Sequence, residues 1–417
     1  MKRTAAAAFA ALLGLAACGD PAASPETAQY SDTWYSTNTT DADLPGRLNI
    51  HDTAAGLAGR VAMGDGRMLA IRNIARDAEN VSFSIPGAGI AFEGTKTANG
   101  GWSGQIVRGD ASTPLDFATG DSFGPPSLTM LPDGRRMNIA CTGEGAPAIV
   151  LDYGAGGTMT KDWGEIVNAI AARAQTRVCF YDRAGRGLSD PAPMPRDAAA
   201  VVRDLDETLT AAKVAPPYVL IGHSMGSYHV RLFANTHFEK VAGMVLVDPS
   251  GDGQLARFSA VIPKIQQIQD AAFKAQADLN CIARLRETPV APDDALTKQC
   301  GGNDPDAIEA TRSEVESMPG ASTEQLVASR RSYGDMPLVV LTRGDYDKDM
   351  PPDFTSGDRG AMRSVWEAMH AEMAALSSEG QHRFVPGAGH YIQRDAPQAV
   401  IDAAAEVIAA ARSKSVP

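Results

Sequence analysis

Ser224 stands between two glycines in "YVLIGHSMGSYHV", residues 218–230, directly after an apolar run. A hydroxyl in a G-x-S-x-G turn can serve as a nucleophile, or the serine can be no more than a small residue at a tight bend. By composition the pattern arises by accident about 0.2 times in such a chain, so its surroundings must decide. A serine hydroxyl is a weak nucleophile near neutral pH. It needs a histidine within hydrogen-bond reach, and that histidine needs a carboxylate to fix its tautomer. In a turn of this kind the acid and the base follow the serine in the chain, which leaves His370, His382 and His390. His370 falls inside the helical "SVWEAMHAEM", where packing is its expected role, and His382 precedes the short strand "RFVP". His390 follows that strand on a loop of small residues, Gly387, Ala388 and Gly389, which permit close approach, and it is the expected base. For the acid, "PLVVLTRGDYDKDM" offers Asp345, Asp347 and Asp349, and Asp248 ends the preceding apolar run in "VLVDP".

These residues need a scaffold. "AIVLDYG", "RVCFYDR", "YVLIGHS", "GMVLVDP" and "PLVVLTRGD" are continuous apolar runs of strand length, as expected for parallel strands buried on both faces. Amphipathic helices alternate with them. "DWGEIVNAIAARA" carries Asp162 and Glu165 at capping-box spacing, "RDAAAVVRDLDETLTAAKV" follows, and "DAPQAVIDAAAEVIAAA" closes the chain from a cap at Asp395. The pattern predicts an α/β architecture with a mostly parallel central sheet and helices on both faces. Residues 251–335 interrupt the rhythm with polar amphipathic stretches and no apolar strand, which predicts an inserted helical subdomain. Residues 47–120 hold short β-prone runs with Asp-Gly, Pro-Gly and Asn-Gly turn signals, the expected signature of a small antiparallel β module without chemistry of its own. "DSFGPP" reads as a linker to the larger body.

Residues from about 127 to 411 resemble the α/β-hydrolase fold family. Five segments carry the resemblance in family order: "VLDYGAGG", "VCFYDRAGRGLSD", "GHSMGS", "LTRGDYD" and "GAGHYI". The resemblance implies core halves at 127–250 and 336–412 with a lid at 251–335 between them. It implies a Ser224, Asp347, His390 triad, the acid falling three residues after Gly344, with Asp345 and Asp248 as alternatives. It also implies an oxyanion hole from the backbone N–H groups of Met225 and Ala155. Two departures stand out: Tyr153 replaces a common family histidine and could narrow the pocket or bond the substrate, and Ser227 replaces a glycine. The expected reaction is cleavage of a small-molecule carboxylic ester through an acyl-enzyme. Amide or peptide cleavage, acyl transfer and a non-catalytic envelope lipoprotein are the alternatives.

The turn "DRAGRGLSD", with Arg183 and Arg186, fits neither a P-loop nor a dinucleotide fingerprint, and the resemblance implies a structural brace. No metal-ligand spacing is present and no cofactor is expected. A formal net charge of −12 over 417 residues argues against nucleic acid as a partner. Residues 1–17 combine Lys2 and Arg3 with a short Ala/Leu stretch, and Leu15-Ala16-Ala17-Cys18 resembles a bacterial lipobox. The expectation is export to the cell envelope, membrane attachment through a lipid on Cys18, and a flexible tether over 18–46. Cys141, Cys179, Cys281 and Cys300 would then be four thiols in an oxidising compartment, with three possible pairings.

Overall fold

The computed structural model describes residues 30–414 apart from 37–40, 42, 54–55, 64–67, 120–127, 288–294, 301, 303 and 349–353. The expected signal segment, Cys18, most of the tether, the "DSFGPP" linker and Asp349 lie outside the described residues. Among the described residues no helix is long and apolar enough to cross a membrane.

The N-terminal module is a closed antiparallel barrel of strands β1 (Tyr30–Ser36), β2 (Pro45–Thr53), β3 (Gly56–Met63), β4 (Met68–Arg76), β5 (Asn80–Ile85), β6 (Ile90–Lys96), β7 (Trp102–Arg108) and β8 (Ala111–Thr119), with β1 pairing β8 to close it. Period-2 alternation builds it: Val81, Phe83 and Ile85 of β5 point inward while the residues between them face out. Phe92 stacks on Phe83 and meets Phe117 edge-on, each at 5.1 Å, and Trp34 meets Trp102 at 6.2 Å. The tether expected over 18–46 is corrected here. Strand β1 begins at Tyr30, because closing a barrel leaves no free edge and Trp34 supplies an inward wedge.

The larger body holds an eight-stranded sheet in the order β16-β15-β14-β13-β11-β12-β10-β9. Its strands are β9 (Leu128–Met130), β10 (Arg136–Thr142), β11 (Ala148–Asp152), β12 (Val178–Tyr181), β13 (Tyr218–His223), β14 (Val241–Val247), β15 (Leu338–Arg343) and β16 (Gly380–Val385). From β12 to β16 every pair is parallel; β9 and β10 run antiparallel at one edge. Val150, Leu220, Leu246 and Val340 pack on one face, and Ile149, Val219, Val245 and Val339 on the other. That two-sided burial is why these strands read as unbroken apolar runs.

Helices α1 (Met159–Trp163), α2 (Val167–Ala174), α3 (Ala198–Ala211) and α4 (Gly226–Thr236) cover the first half. The insertion carries α5 (Gln254–Val261), α6 (Lys264–Leu279), α7 (Cys281–Glu287), α8 (Ala295–Cys300), α9 (Pro305–Ser317) and α10 (Thr323–Ser329), and α11 (Ser356–Ala374), α12 (Ile392–Asp395) and α13 (Pro397–Lys414) complete the second half. The capping box expected at Asp162 and Glu165 does not form. Thr158 caps α1, and the chain breaks before α2, which frees Asp162 for the site. Asp395 likewise ends α12 rather than capping α13. Cys141 pairs with Cys179 across the β10–β12 ladder, and Cys281 with Cys300 ties α7 to α8 in the lid.

Barrel, lid and sheet meet at Arg60. Its buried guanidinium leaves β3 to donate to the Gly185 carbonyl at 2.7 Å and pairs with Asp304, the cap of α9, at 3.2 Å. Removing one partner of a buried pair leaves an uncompensated charge, at a cost of about 3–5 kcal/mol. Arg60→Ala should therefore lower the unfolding midpoint and make the lid cleavable by trypsin at Lys298 under native conditions, read by thermal melting and limited proteolysis.

Candidate active site

Strand β13 delivers Ser224 into a left-handed turn, φ 50°, before α4 begins. The geometry needs its flanking glycines: a Cβ on Gly226 would sit 2.7 Å from the Tyr153 carbonyl oxygen, and one on Gly222 2.9 Å from Gly226. Tyr228, Leu232 and Phe233 of α4 are buried, as the sequence predicts, and anchor the helix under the sheet. The strained turn lifts the Ser224 hydroxyl to the C-terminal edge of the strands.

His390 arrives on the loop after β16. Gly387 turns it with φ 73°, the Ala388 carbonyl accepts from the N–H groups of Gly344 and Asp345, and Gly389 N–H donates to Asp395. His223 donates from Nε2 to the His390 carbonyl at 3.0 Å, and its ring lies 4.8 Å from that of His390. Burial, with His390 beside it, holds His223 well below the ordinary histidine range and so neutral. His390 Nε2 lies 2.9 Å from Ser224 Oγ, and its Nδ1 lies 2.6 Å from Asp248 Oδ2.

The carboxylate is thus Asp248, and the expectation of Asp347 is corrected. Asp347 is 77% exposed in its side chain and pairs with Arg359 at 2.8 Å. Asp345 also stays out of the site: its Oδ1 accepts from the N–H groups of Asp347 and Lys348 and shapes the turn. Asp248 ends β14, between β13 and β15, so its carboxylate emerges between Ser224 and the His390 loop. It accepts from Trp366 Nε1 at 3.0 Å and from Arg343 N–H and Nε at 3.0 and 2.7 Å. Burial alone would raise its pKa, but the Arg343 cation and the His390 hydrogen bond outweigh it and hold Asp248 well below the usual carboxylate range.

Opposite Ser224 lies the loop after β11. Gly154 lets it approach, since a Cβ there would sit 3.0 Å from His223 Nδ1 and 3.2 Å from Ser224 Cβ. Among the described residues the N–H groups of Ala155 and Met225 donate to no protein acceptor, which leaves both available to an oxyanion. The loop is held from behind. Arg183 donates to the Tyr153 and Gly154 carbonyls at 2.7 and 3.0 Å, pairs with Asp152 at 2.6 Å and reaches Glu314 of α9 at 3.0 Å. Asp162 accepts from Gly154 N–H at 3.3 Å and pairs with Arg394 at 2.6 Å.

Tyr153 is not a pocket wall. It is fully buried, its ring covers Arg183 at 3.9 Å, and its hydroxyl accepts from Arg183 N–H at 2.7 Å. Ser227 Oγ donates to the Ser224 carbonyl at 2.5 Å, a brace a glycine would lack. His370 and His382 both reach Thr342, His382 at 2.8 Å, and neither contacts Ser224. Arg343 and Trp366 escaped the sequence reading. The one available signal was an arginine ending an otherwise apolar buried strand, "VVLTR".

Residues 154–403 match the Alpha/beta hydrolase family. The chain belongs to this family. Its relatives include the Bacillus subtilis protein YqjL, 24% identical over 275 residues that cover 66% of this chain and 89% of that one. The mouse sn-1-specific diacylglycerol lipase ABHD11 is 24% identical over 302 residues, 72% of this chain and 92% of the lipase. Among solved structures, an enol-lactonase from Burkholderia xenovorans superposes with a TM-score of 0.47 at 16% identity, covering 68% of this chain and 99% of the lactonase. The barrel lies outside the residues that the family matches.

Gly154→Ala should push the Ala155 loop off Ser224. A misplacement of about 1 Å costs about 10²-fold in rate, so labelling of Ser224 by a fluorophosphonate should slow by that order while the melting temperature changes little.

Proposed function

We propose that the chain is a serine hydrolase that cleaves a carboxylic ester of a small molecule. The observation that carries this reading is the unbroken chain from Ser224 Oγ through both nitrogens of His390 to Asp248. His390 Nε2 takes the Ser224 proton as Oγ attacks the acyl carbon, and Asp248 accepts the Nδ1–H and fixes the ring's tautomer and orientation. The tetrahedral oxyanion lies against the N–H groups of Met225 and Ala155, each such donor typically supplying about 3 kcal/mol. Collapse expels the alcohol, which takes its proton from His390. Water, deprotonated by the same imidazole, then releases the acid. Helix α5 of the lid contributes Phe258, stacked at 5.5 Å on the Trp366 that bonds Asp248, so lid and acid share one wall.

The test is a panel of p-nitrophenyl esters of increasing acyl length beside the matching anilides. Esters should turn over faster, and Ser224→Ala should abolish both turnover and fluorophosphonate labelling. Asp248→Asn should lower kcat by about 10⁴-fold, whereas Asp347→Asn should stay within about twofold, as expected of an exposed residue. Labelling that survives in Ser224→Ala would end the reading.

We further propose that the protein works in the cell envelope, lipid-anchored at Cys18. The pairing of all four remaining cysteines supports an oxidising compartment. In a bacterial host, radiolabelled palmitate should enter the wild type and not Cys18→Ser; equal incorporation would overturn the anchor.

A further inference from the structure

Arg343 does more than balance a buried carboxylate. Its Nη2 lies 2.7 Å from Asp248 Oδ2 and 2.9 Å from His390 Nδ1, so guanidinium, carboxylate and imidazole form a closed triangle. The side chains of Arg343 and Asp248 are 2% and 0% exposed, and the guanidinium lies between the rings of Trp366 at 4.9 Å and Tyr346 at 5.6 Å. Water has little access to screen either charge.

We propose that Arg343 is a positioning residue that sets the charge felt by His390, keeping the imidazole neutral and its Nε2 lone pair directed at Ser224. This inference rests on the serine-hydrolase reading above. A lone aspartate beside a histidine stabilises the imidazolium. Here the aspartate is already neutralised, so a proton on His390 makes the buried Arg343, Asp248 and His390 set a net cation. Geometry adds a second constraint. The guanidinium presents only donors toward Nδ1 and Oδ2, while the Nδ1–H needs Oδ2 as its acceptor. With Nε and Nη2 of Arg343 on Oδ2, and the Arg343 N–H and Trp366 on Oδ1, the carboxylate is held against rotation away from His390.

The neighbouring groups do not change this balance. His223, at 4.8 Å from the His390 ring, is neutral. His370 meets Trp366 at a tilt with ring centres 5.2 Å apart and donates to the Pro249 carbonyl; burial pushes it down to about 4, so it too is neutral. Tyr391 lies 5.3 Å from His390 with Arg394 behind it, and Tyr346 has Arg363 on it at 5.5 Å. Burial raises the Tyr346 phenol, which stays protonated.

The experiment compares the pH dependence of kcat/KM for the wild type, Arg343→Gln and Arg343→Lys on one p-nitrophenyl ester, with fluorophosphonate labelling of Ser224 in each. The glutamine keeps an N–H donor but removes the charge; the acid limb should move up by about one pH unit, the usual size of a single charge effect. The lysine keeps the charge, and its acid limb should stay within about 0.3 unit of wild type while kcat falls through lost bidentate alignment. An acid limb unmoved in Arg343→Gln would overturn the inference while the hydrolase reading survived. Should the glutamine variant fail to fold, the lysine variant still decides: an acid limb displaced by about one pH unit in Arg343→Lys, which keeps the charge, would overturn the inference. A wild type that neither turns over ester nor labels at Ser224 would instead remove the hydrolase reading itself.

Discussion

A carboxylate taken fully out of water is tolerable only when its charge is matched and its lone pairs are filled, because each buried ion forfeits several kcal/mol of hydration. Asp248 meets that condition through Arg343, Trp366 and His390 together. The donors come from separate pieces of chain: the end of β15, the middle of α11 and the loop after β16. Satisfying one carboxylate therefore fixes the relative positions of three elements. The same contacts place the imidazole on the Ser224 hydroxyl, so the electrostatics that make the fold tolerable also assemble the chemistry.

Buried arginines recur wherever parts of the protein join. Arg343 joins β15 to β14, Arg183 joins the turn after β12 to the loop after β11 and to α9, and Arg60 joins the barrel to α9 and that turn. Arg186 adds a bond to the Ala307 carbonyl of α9 at 3.0 Å. A guanidinium is suited to this role because its planar fork bonds several carbonyl or carboxylate oxygens at once and stays charged when buried. The lid is consequently rooted at α9 by charge pairs from both the barrel and the sheet, and the loop that carries Ala155 shares those roots.

Some misreadings of the sequence have a common physical origin. The family resemblance placed the acid three residues after Gly344, at Asp347, but a three-residue offset says nothing about which side of the sheet edge a loop leaves from. The Asp345 carboxylate instead accepts from the N–H groups of Asp347 and Lys348 in a turn, and Asp347 pairs with Arg359. Asp248 and Asp347 both follow apolar strands, and only the strand order, with β14 beside β13, separates them. Tyr153 stands where the family often has histidine and by sequence could narrow a pocket or bond the substrate; burial against Arg183 gives its hydroxyl a different partner. The first barrel strand was missed because, in "YSDTWYS", polar residues surround the buried Trp34 and hide the alternation.

Composition, periodicity and short motifs were enough to establish the α/β body, the helical insertion, the β module, the turn that presents Ser224 and the small-residue loop that presents His390. Each depends on neighbours within a few positions: backbone freedom at glycine, a two-sided apolar strand, a helical repeat. Which carboxylate meets His390, the closure of the barrel, the pairing of the cysteines and the arginine contacts were decided only in three dimensions. They depend on residues brought together across β10–β12, β14–β15 and the lid, where desolvation and charge matching act over distances that sequence spacing does not encode.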